Sequence, residues 1–316
     1  MKAAAGKVAQ LLVVMFLVSL GTFSLTSLMP GDPAVAILGD NQSPEAYAEL
    51  REKLGLNEPL VERYFTWLGH VFQGDLGTSM VPPNEDVTSL IGSAFAVSIE
   101  LAVLALVVAL VVSIPLAMIS ARRPDGLLDR AASATTFGIM SVPSFVSGLV
   151  LIALLVNQLH LFPRVGWVGV TDGLGQNLYH AALPVITIAL LEIPTFTRVL
   201  RGDLVRTLQE DFVLSARAKG MPAWRIMIFD AFRPSSYSLI TVLGLSLAQL
   251  IGSTVIVETL FSLPGMGRLV VSSASQGNIT VIQGAVLVIA ACYVLINAGV
   301  DLMYSVIDPR IRRVGA

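Results

Sequence analysis

The chain has 316 residues, 54% hydrophobic and only 13% charged, where a soluble domain carries roughly 25% charged residues. A net charge of −2 leaves no basic footprint for nucleic acid, and a single cysteine, Cys292, excludes an internal disulfide framework. No Gly-x-x-x-x-Gly-Lys-Ser/Thr, His-Glu-x-x-His or Gly-x-Ser-x-Gly motif occurs, so the chain carries no phosphate loop of its own and neither of those hydrolase signatures.

Apolar runs of membrane-spanning length predict six transmembrane helices, at 8–28, 94–119, 132–156, 181–200, 236–260 and 281–307. The expected class is therefore an all-α membrane protein with one permease-like domain over 1–316. The first run follows Lys2 and Lys7 but is longer than a signal core and lacks an Ala-x-Ala site, so an uncleaved helix is expected. Pro30-Gly31-Asp32-Pro33 makes a turn-rich exit into a long segment, 30–93, outside the spans. Within it Ser43 is read as a helix cap with Pro44 at the first position. Leu54-Gly55-Leu56-Asn57-Glu58-Pro59-Leu60 breaks and restarts the helix, and Tyr64, Phe65, Trp67 and Leu68 form an aromatic face expected to pack on the bundle or lie at the interface. The third span is interrupted by Ser141-Val142-Pro143-Ser144, and Pro115, Pro184 and Pro194 fall inside spans.

Orientation follows from the basic residues. With the N-terminus in the cytoplasm, 15 of the 20 Lys and Arg residues fall on the inner side; Arg51, Lys53, Arg63, Arg164 and Arg268 fall outside. Both termini are then cytoplasmic, and 30–93 is extracytoplasmic. His70, His160 and His180 lie on the outer side, as expected of ordinary surface histidines.

Between the fourth and fifth spans, 201–235 forms a charged cytoplasmic island. Leu204, Leu208, Phe212 and Ala216 recur every four residues and are expected on one helical face. Gly220 should end that helix and Pro222 start another, with Trp224, Ile228 and Phe232 on one face. Small side chains at Ser215, Ala216 and Gly220 would admit a partner's groove closely, with Arg217 and Lys219 supplying charge.

Ser215-Ala216-Arg217-Ala218-Lys219-Gly220 resembles the "EAA" loop of ABC importer permeases in its peptide/nickel form. Pro30-Gly31-Asp32-Pro33, 54–60, Gly74-Asp75-Leu76-Gly77-Thr78-Ser79, Ser98-Ile99-Glu100-Leu101, 258–268 and 301–312 are similar, in order, to further blocks of the dipeptide/oligopeptide permeases. The resemblance implies the transmembrane, first-permease subunit of an ATP-driven importer for di- or oligopeptides in a bacterial inner membrane. It implies a second homologous permease of different sequence, two cytoplasmic ATPases that bind the ATP, and an extracytoplasmic binding protein. It implies no bond chemistry and no cofactor in this chain. Ser215, Ala216, Arg217, Ala218, Lys219, Gly220 and Met221 would couple to the ATPase. Nickel and glutathione importers share these blocks, and few histidines argue against nickel. Two positions depart from the family: Asp230-Ala231-Phe232-Arg233-Pro234 stands for His-Ala-Leu-Arg-Asn, and Asn278-Ile279-Thr280 for Asp-Tyr-Pro. The first bears on which ATPase is accepted, the second on binding-protein contacts.

The rival class is a secondary transporter or channel working through intramembrane carboxylates. Its candidates are Glu100, Glu192, Glu258 and Asp301, of which only Glu192 sits deep in an apolar run. Within the importer reading, Glu192 either bonds a neighbouring helix's hydroxyl or lines the translocation path and meets a peptide's ammonium group.

Overall fold

The computed structural model describes residues 2–27, 33–38, 43–53 and 55–307. The Pro30-Gly31-Asp32 turn, Leu54 and the C-terminal motif from Asp308 onward lie outside the described residues. Helices dominate, and the one β feature among the described residues is an isolated antiparallel bridge between Thr78 and Asp86. The helices are α1 (Lys2–Ser27), α2 (Pro33–Leu38), α3 (Pro44–Lys53), α4 (Leu60–Phe72), α5 (Val87–Arg122), α6 (Leu127–Met140) and α7 (Ser144–Leu151). They continue as α8 (Leu174–Thr207), α9 (Asp211–Ala218), α10 (Ala223–Arg225), α11 (Phe232–Ser253), α12 (Val255–Leu260), α13 (Met266–Ser275) and α14 (Ile279–Ile307). Chain contacts divide the protein into two compact units, one formed by Met1–Ser98 with Pro264–Leu295, the other by Ile99–Leu263 with Ile296–Ala316.

Among the described residues four helices are long and apolar enough to cross a membrane: α5, α8, the continuous stretch Ala223–Ser253, and Ile279–Val300 of α14. α6 pairs with the run Ser144–Gln158 across a 99° bend, a fifth span if the pair is taken as one. These account for four or five of the six expected spans. The described apolar stretch of α1, Leu11–Ser24, is shorter than a full crossing. At 36 and 34 residues, α5 and α8 are about 50 Å long, well beyond a hydrocarbon core of about 30 Å, so each carries polar ends out of the apolar layer.

The expected interruption of the third span is present and sharp. Ser141 closes α6, and Val142, restrained by the following proline, leaves helical geometry before Pro143 caps α7. α7 then relaxes into a π-helical turn at Ile152–Gln158. The fifth expected span, 236–260, ends earlier than its hydropathy suggests. α11 stops at Ser253, and α12 restarts after Thr254, whose hydroxyl donates to Glu258 Oε1 at 2.7 Å. That bond gives the buried Glu258 carboxylate a partner one turn into α12.

In the first unit, Ser43 and Pro44 act as expected: Ala46 N–H donates to Ser43 Oγ at 3.3 Å, and α3 begins at Pro44. α4 presses its aromatic face onto α1. Tyr64 is buried with its hydroxyl 2.8 Å from Ser19 Oγ, and Phe23 lies 5.5 Å from the Tyr64 ring and 5.7 Å from Trp67. Phe65, assigned to the same face by sequence, is largely exposed. The unit's core joins Val87, Ile91 and Ala94 of α5 to Met266, Val281 and Ala285. Gln283 Nε2 reaches Thr26 Oγ1 on α1 at 2.6 Å. Asn278, at one of the departing positions, is buried; its amide donates to Ser79 Oγ at 2.8 Å and accepts from Met80 N–H at 3.2 Å.

In the second unit α8 is the hub. It packs on α6, α7, α11 and α12, and 61% of its apolar window is buried inside the protein, against 33% for the windows of α5, Ala223–Ser253 and α14. α7 comes close because Gly148 has no side chain. A Cβ there would lie 2.7 Å from Leu260 Cδ2 and 3.2 Å from Thr187 Cγ2.

Candidate functional site

The charged island folds as a hairpin appended to α8. α8 does not run on through Leu208 and Phe212. Gln209 and Glu210 close it with short turns onto Arg206 and Thr207, and Glu210 turns extended (ψ 149°) to cap α9. Asp211 in the first turn and Arg217 in the last both suit the helix dipole. The single face expected for Leu204, Leu208, Phe212 and Ala216 is therefore split over two helices. Leu204 is buried at the end of α8, while Phe212 is 49% exposed. α9 buries Val213 and Ala216 against Ile226, flanked by Leu208 and Met221. The smallness of Ala216 is used inside the chain, not offered outward.

A paired set of hydrogen bonds ends α9. Gly220 N–H donates to Arg217 O at 2.9 Å and Met221 N–H to Ala216 O at 3.2 Å, with Gly220 at φ +78°. This is the left-handed helix stop that glycine adopts without a Cβ clash, and Met221 packs back on the Val213, Ala216 and Ile226 cluster. Pro222 is the cap residue of the next helix, one place earlier than the first-turn position expected from sequence. The chain then enters a π-helical turn at Ile226–Ala231, whose wider period moves residues off the α-helical register. The buried side chains are consequently Ile226, Met227 and Ala231; Trp224 and Ile228, expected to share a face with Phe232, point outward. Phe229, five residues after Trp224, meets its ring edge-on at 6.5 Å and is 65% exposed.

The outer surface of the hairpin thus carries Ser215, Arg217, Ala218, Lys219 and Gly220 beside an apolar set of Phe212, Leu214, Trp224, Ile228 and Phe229. Leu214 and Phe229 were not legible as part of this surface, Leu214 because the break after Thr207 resets the helical phase and Phe229 because the π register is invisible to a 3.6-residue period. Two polar ties hold the helices that flank the hairpin. Arg201 grips Asp129 of α6 with both Nε and Nη2 at 2.5 Å, and the Asp125 N–H adds a bond to Asp129 Oδ2 at 2.9 Å. Ser235 Oγ donates to Thr207 Oγ1 at 2.9 Å. The Asp129–Arg201 fork joins residues 72 apart in sequence, so no local pattern announces it.

Glu192 lies in the middle of α8, half-buried, and Oε2 accepts a hydrogen bond from Ser246 Oγ of α11 at 2.6 Å. Of the other carboxylates weighed, Glu100 accepts from Asn177 Nδ2 at 2.6 Å, and Glu258 is fully buried at the α11–α12 break. The side chain of Asp301 lies outside the described residues. Among the described residues no group of three or more His, Cys, Asp or Glu could hold a metal ion.

Residues 113–313 match the family described as binding-protein-dependent transport system inner membrane component, and residues 5–103 match that family's N-terminal region. The chain belongs to this family. It is 35% identical over 301 residues to a probable peptide ABC transporter permease of Sinorhizobium fredii, covering 95% of this chain and 96% of that protein. It is 32% identical to the oligopeptide transport system permease protein AppB of Bacillus subtilis, with 92% of each chain covered. It is 31% identical to the dipeptide transport system permease protein DppB of Escherichia coli, over 93% of this chain and 94% of that one. As a member of this family the chain is an integral inner-membrane permease component, and its hairpin sits inside the matched 113–313 segment.

Proposed function

We propose that this permease is the transmembrane subunit of an ATP-driven importer that passes di- or oligopeptides from an extracytoplasmic binding protein to the cytoplasm. The observation that carries this reading is similarity along nearly the whole chain to proteins named as peptide permeases, at 31–35% identity. The proposed assembly holds a second, homologous permease, two cytoplasmic ATPases that bind and hydrolyse the ATP, and the binding protein. Six spans with both termini in the cytoplasm fit the distribution of Lys and Arg.

In this reading the hairpin is the coupling element. ATP-driven closure of the ATPases moves it, and the motion passes through α8, to which it is joined. Such a transfer needs a stiff connection between two discrete arrangements. The buried Val213–Ala216–Ile226 contact and the Asp129–Arg201 fork support that stiffness. Ser215, Arg217, Ala218, Lys219 and Gly220 face the ATPase, and Ala216 and Met221 hold the corner's shape from within. Glu192 lines the path as a transient partner for a peptide's ammonium group, and Ser246 holds the carboxylate between passages.

The test is uptake of labelled di- and tripeptides, glutathione and nickel by cells with and without the gene. Loss of peptide uptake alone is expected; loss of nickel or glutathione uptake with peptide uptake intact overturns the substrate assignment. In the same assay Glu192→Gln should slow free-amine peptides more than N-acetylated ones, and equal slowing of both removes Glu192 from the path.

A further inference from the structure

We propose that the cavity between the α5–α6 turn and the hairpin binds the phosphate headgroup of an anionic phospholipid. The cavity encloses about 680 Å³ and lies wholly within the second unit. Arg122 and Arg123, from the end of α5, and Arg217, from α9, line it together. All three are exposed, and among the described residues none has a carboxylate within ion-pair distance. Of the acids around this turn, Asp129 is already committed to Arg201, and Asp125 is not among the residues that line the cavity. Arg122 and Arg123 bring two adjacent guanidinium groups to this cavity, which repel each other unless an anion joins them, and a phosphate is the group their planar forks match best; Arg217 adds its charge from the hairpin, beside the proposed ATPase face.

Depth decides the source of that phosphate. The apolar run 94–119 of α5 ends three residues before Arg122, so Arg122 and Arg123 sit where an apolar segment gives way to water, the level of lipid headgroups. The remaining wall is apolar. Ile119, Leu127 and Leu128 line it, and the two leucines are 86% and 67% exposed. Consecutive exposed leucines beside arginines make a poor wall for a free ion or for an acidic protein surface. They suit an amphiphile whose phosphate meets the guanidiniums while its acyl chains cover the leucines. The inference concerns the membrane contact of this chain and does not depend on which solute the importer carries.

The native complex, purified in a neutral detergent, is incubated with phosphatidylglycerol, with phosphatidylcholine, or with inorganic phosphate, and bound lipid is counted by native mass spectrometry alongside Tm. Phosphatidylglycerol should be retained and raise Tm, while phosphatidylcholine should do neither. The double variant R122Q/R123Q should bind phosphatidylglycerol roughly thirtyfold more weakly, since each basic residue near an anionic surface is worth about one factor of five. R122K/R123K, which keeps the charge, should retain most of the binding and separates loss of charge from loss of fold. Arg130→Gln, on an exposed position of α6 outside the cavity, should change nothing. Equal retention by wild type and R122Q/R123Q overturns the proposal. So does an equal Tm rise with inorganic phosphate, which would assign a free anion. Dissociation of the double variant's complex with lipid retention unchanged would assign the arginines to a protein partner and also overturn it.

Discussion

At the scale of single residues, the Asp129–Arg201 fork is the most consequential contact. Asp129 is 3% exposed, and a buried carboxylate stripped of its partner keeps its desolvation cost without the compensating charge. Arg201→Ala should therefore destabilise the folded protein by about 3 kcal/mol. Replacing both partners, as in Asp129→Leu with Arg201→Leu, should cost less than Arg201→Ala alone, because no orphan charge remains. Thermal unfolding of Arg201→Ala, of the double variant and of its two singles, Asp129→Leu and Arg201→Leu, in one detergent checks this; a double variant as unstable as the sum of its singles would mean the fork is not a coupled pair. Gly220 makes a different prediction. Space around it is open, with nothing within 4 Å of an added Cβ, but its φ of +78° penalises any L side chain. Gly220→Ala should cost about 1 kcal/mol through backbone strain alone. Gly220→Asn, more tolerant of this region, should cost less. Equal Tm values for Ala, Asn and wild type would show that the turn relaxes freely.

At the scale of elements, the hairpin has two sides with separable roles. The inner side, Val213, Ala216 and Ile226, is its core, so Ala216→Asp should lower the stability of the permease itself. The outer apolar side carries no such role. Trp224→Ser with Phe229→Ser should leave the unfolding temperature of the isolated permease within about 1 °C, since exposed substitutions seldom matter by more than about 0.5 kcal/mol. The same variant should reduce co-purification of the proposed ATPase subunits and the solute-stimulated ATPase rate. Undiminished co-purification at normal expression would remove the aromatic side of the hairpin from the proposed coupling surface. The element boundaries also show how much of this site could be read from the chain. The glycine stop at Gly220, the proline restart and the position of the corner were legible, because helix termination is written in local chemistry. The faces were not. A break after Thr207 and a π turn at Ile226–Ala231 rotate the side chains away from a continuous 3.6-residue period. That rotation turned Ala216 inward and Phe229 outward.

At the scale of the whole molecule, the proposed orientation is open to a direct test. In a Cys292→Ser background, cysteine at Asp75 should react with an impermeant maleimide added to intact cells, and cysteine at Arg217 should react only after permeabilisation. The reverse pattern would overturn the arrangement drawn from Lys and Arg. Asn278 illustrates a second lesson at this scale. It departs from the family pattern, so the family's binding-protein contacts do not carry over to it by motif, and its amide is spent on Ser79 and Met80 of its own unit.

The amino-acid sequence by itself determined the helical membrane class, the broken third span, the corner of the charged hairpin at Gly220 and the family. Hydrophobic runs, turn residues and ordered motifs act locally and survive being read one residue at a time. Only the tertiary structure decided that α8 is the buried hub, that Glu192 is held by Ser246, and that Arg201 closes on Asp129. It alone gathered Arg122, Arg123 and Arg217 around one apolar cavity. Those facts join residues far apart in the chain, and such pairings are selected by packing and desolvation rather than by any periodicity.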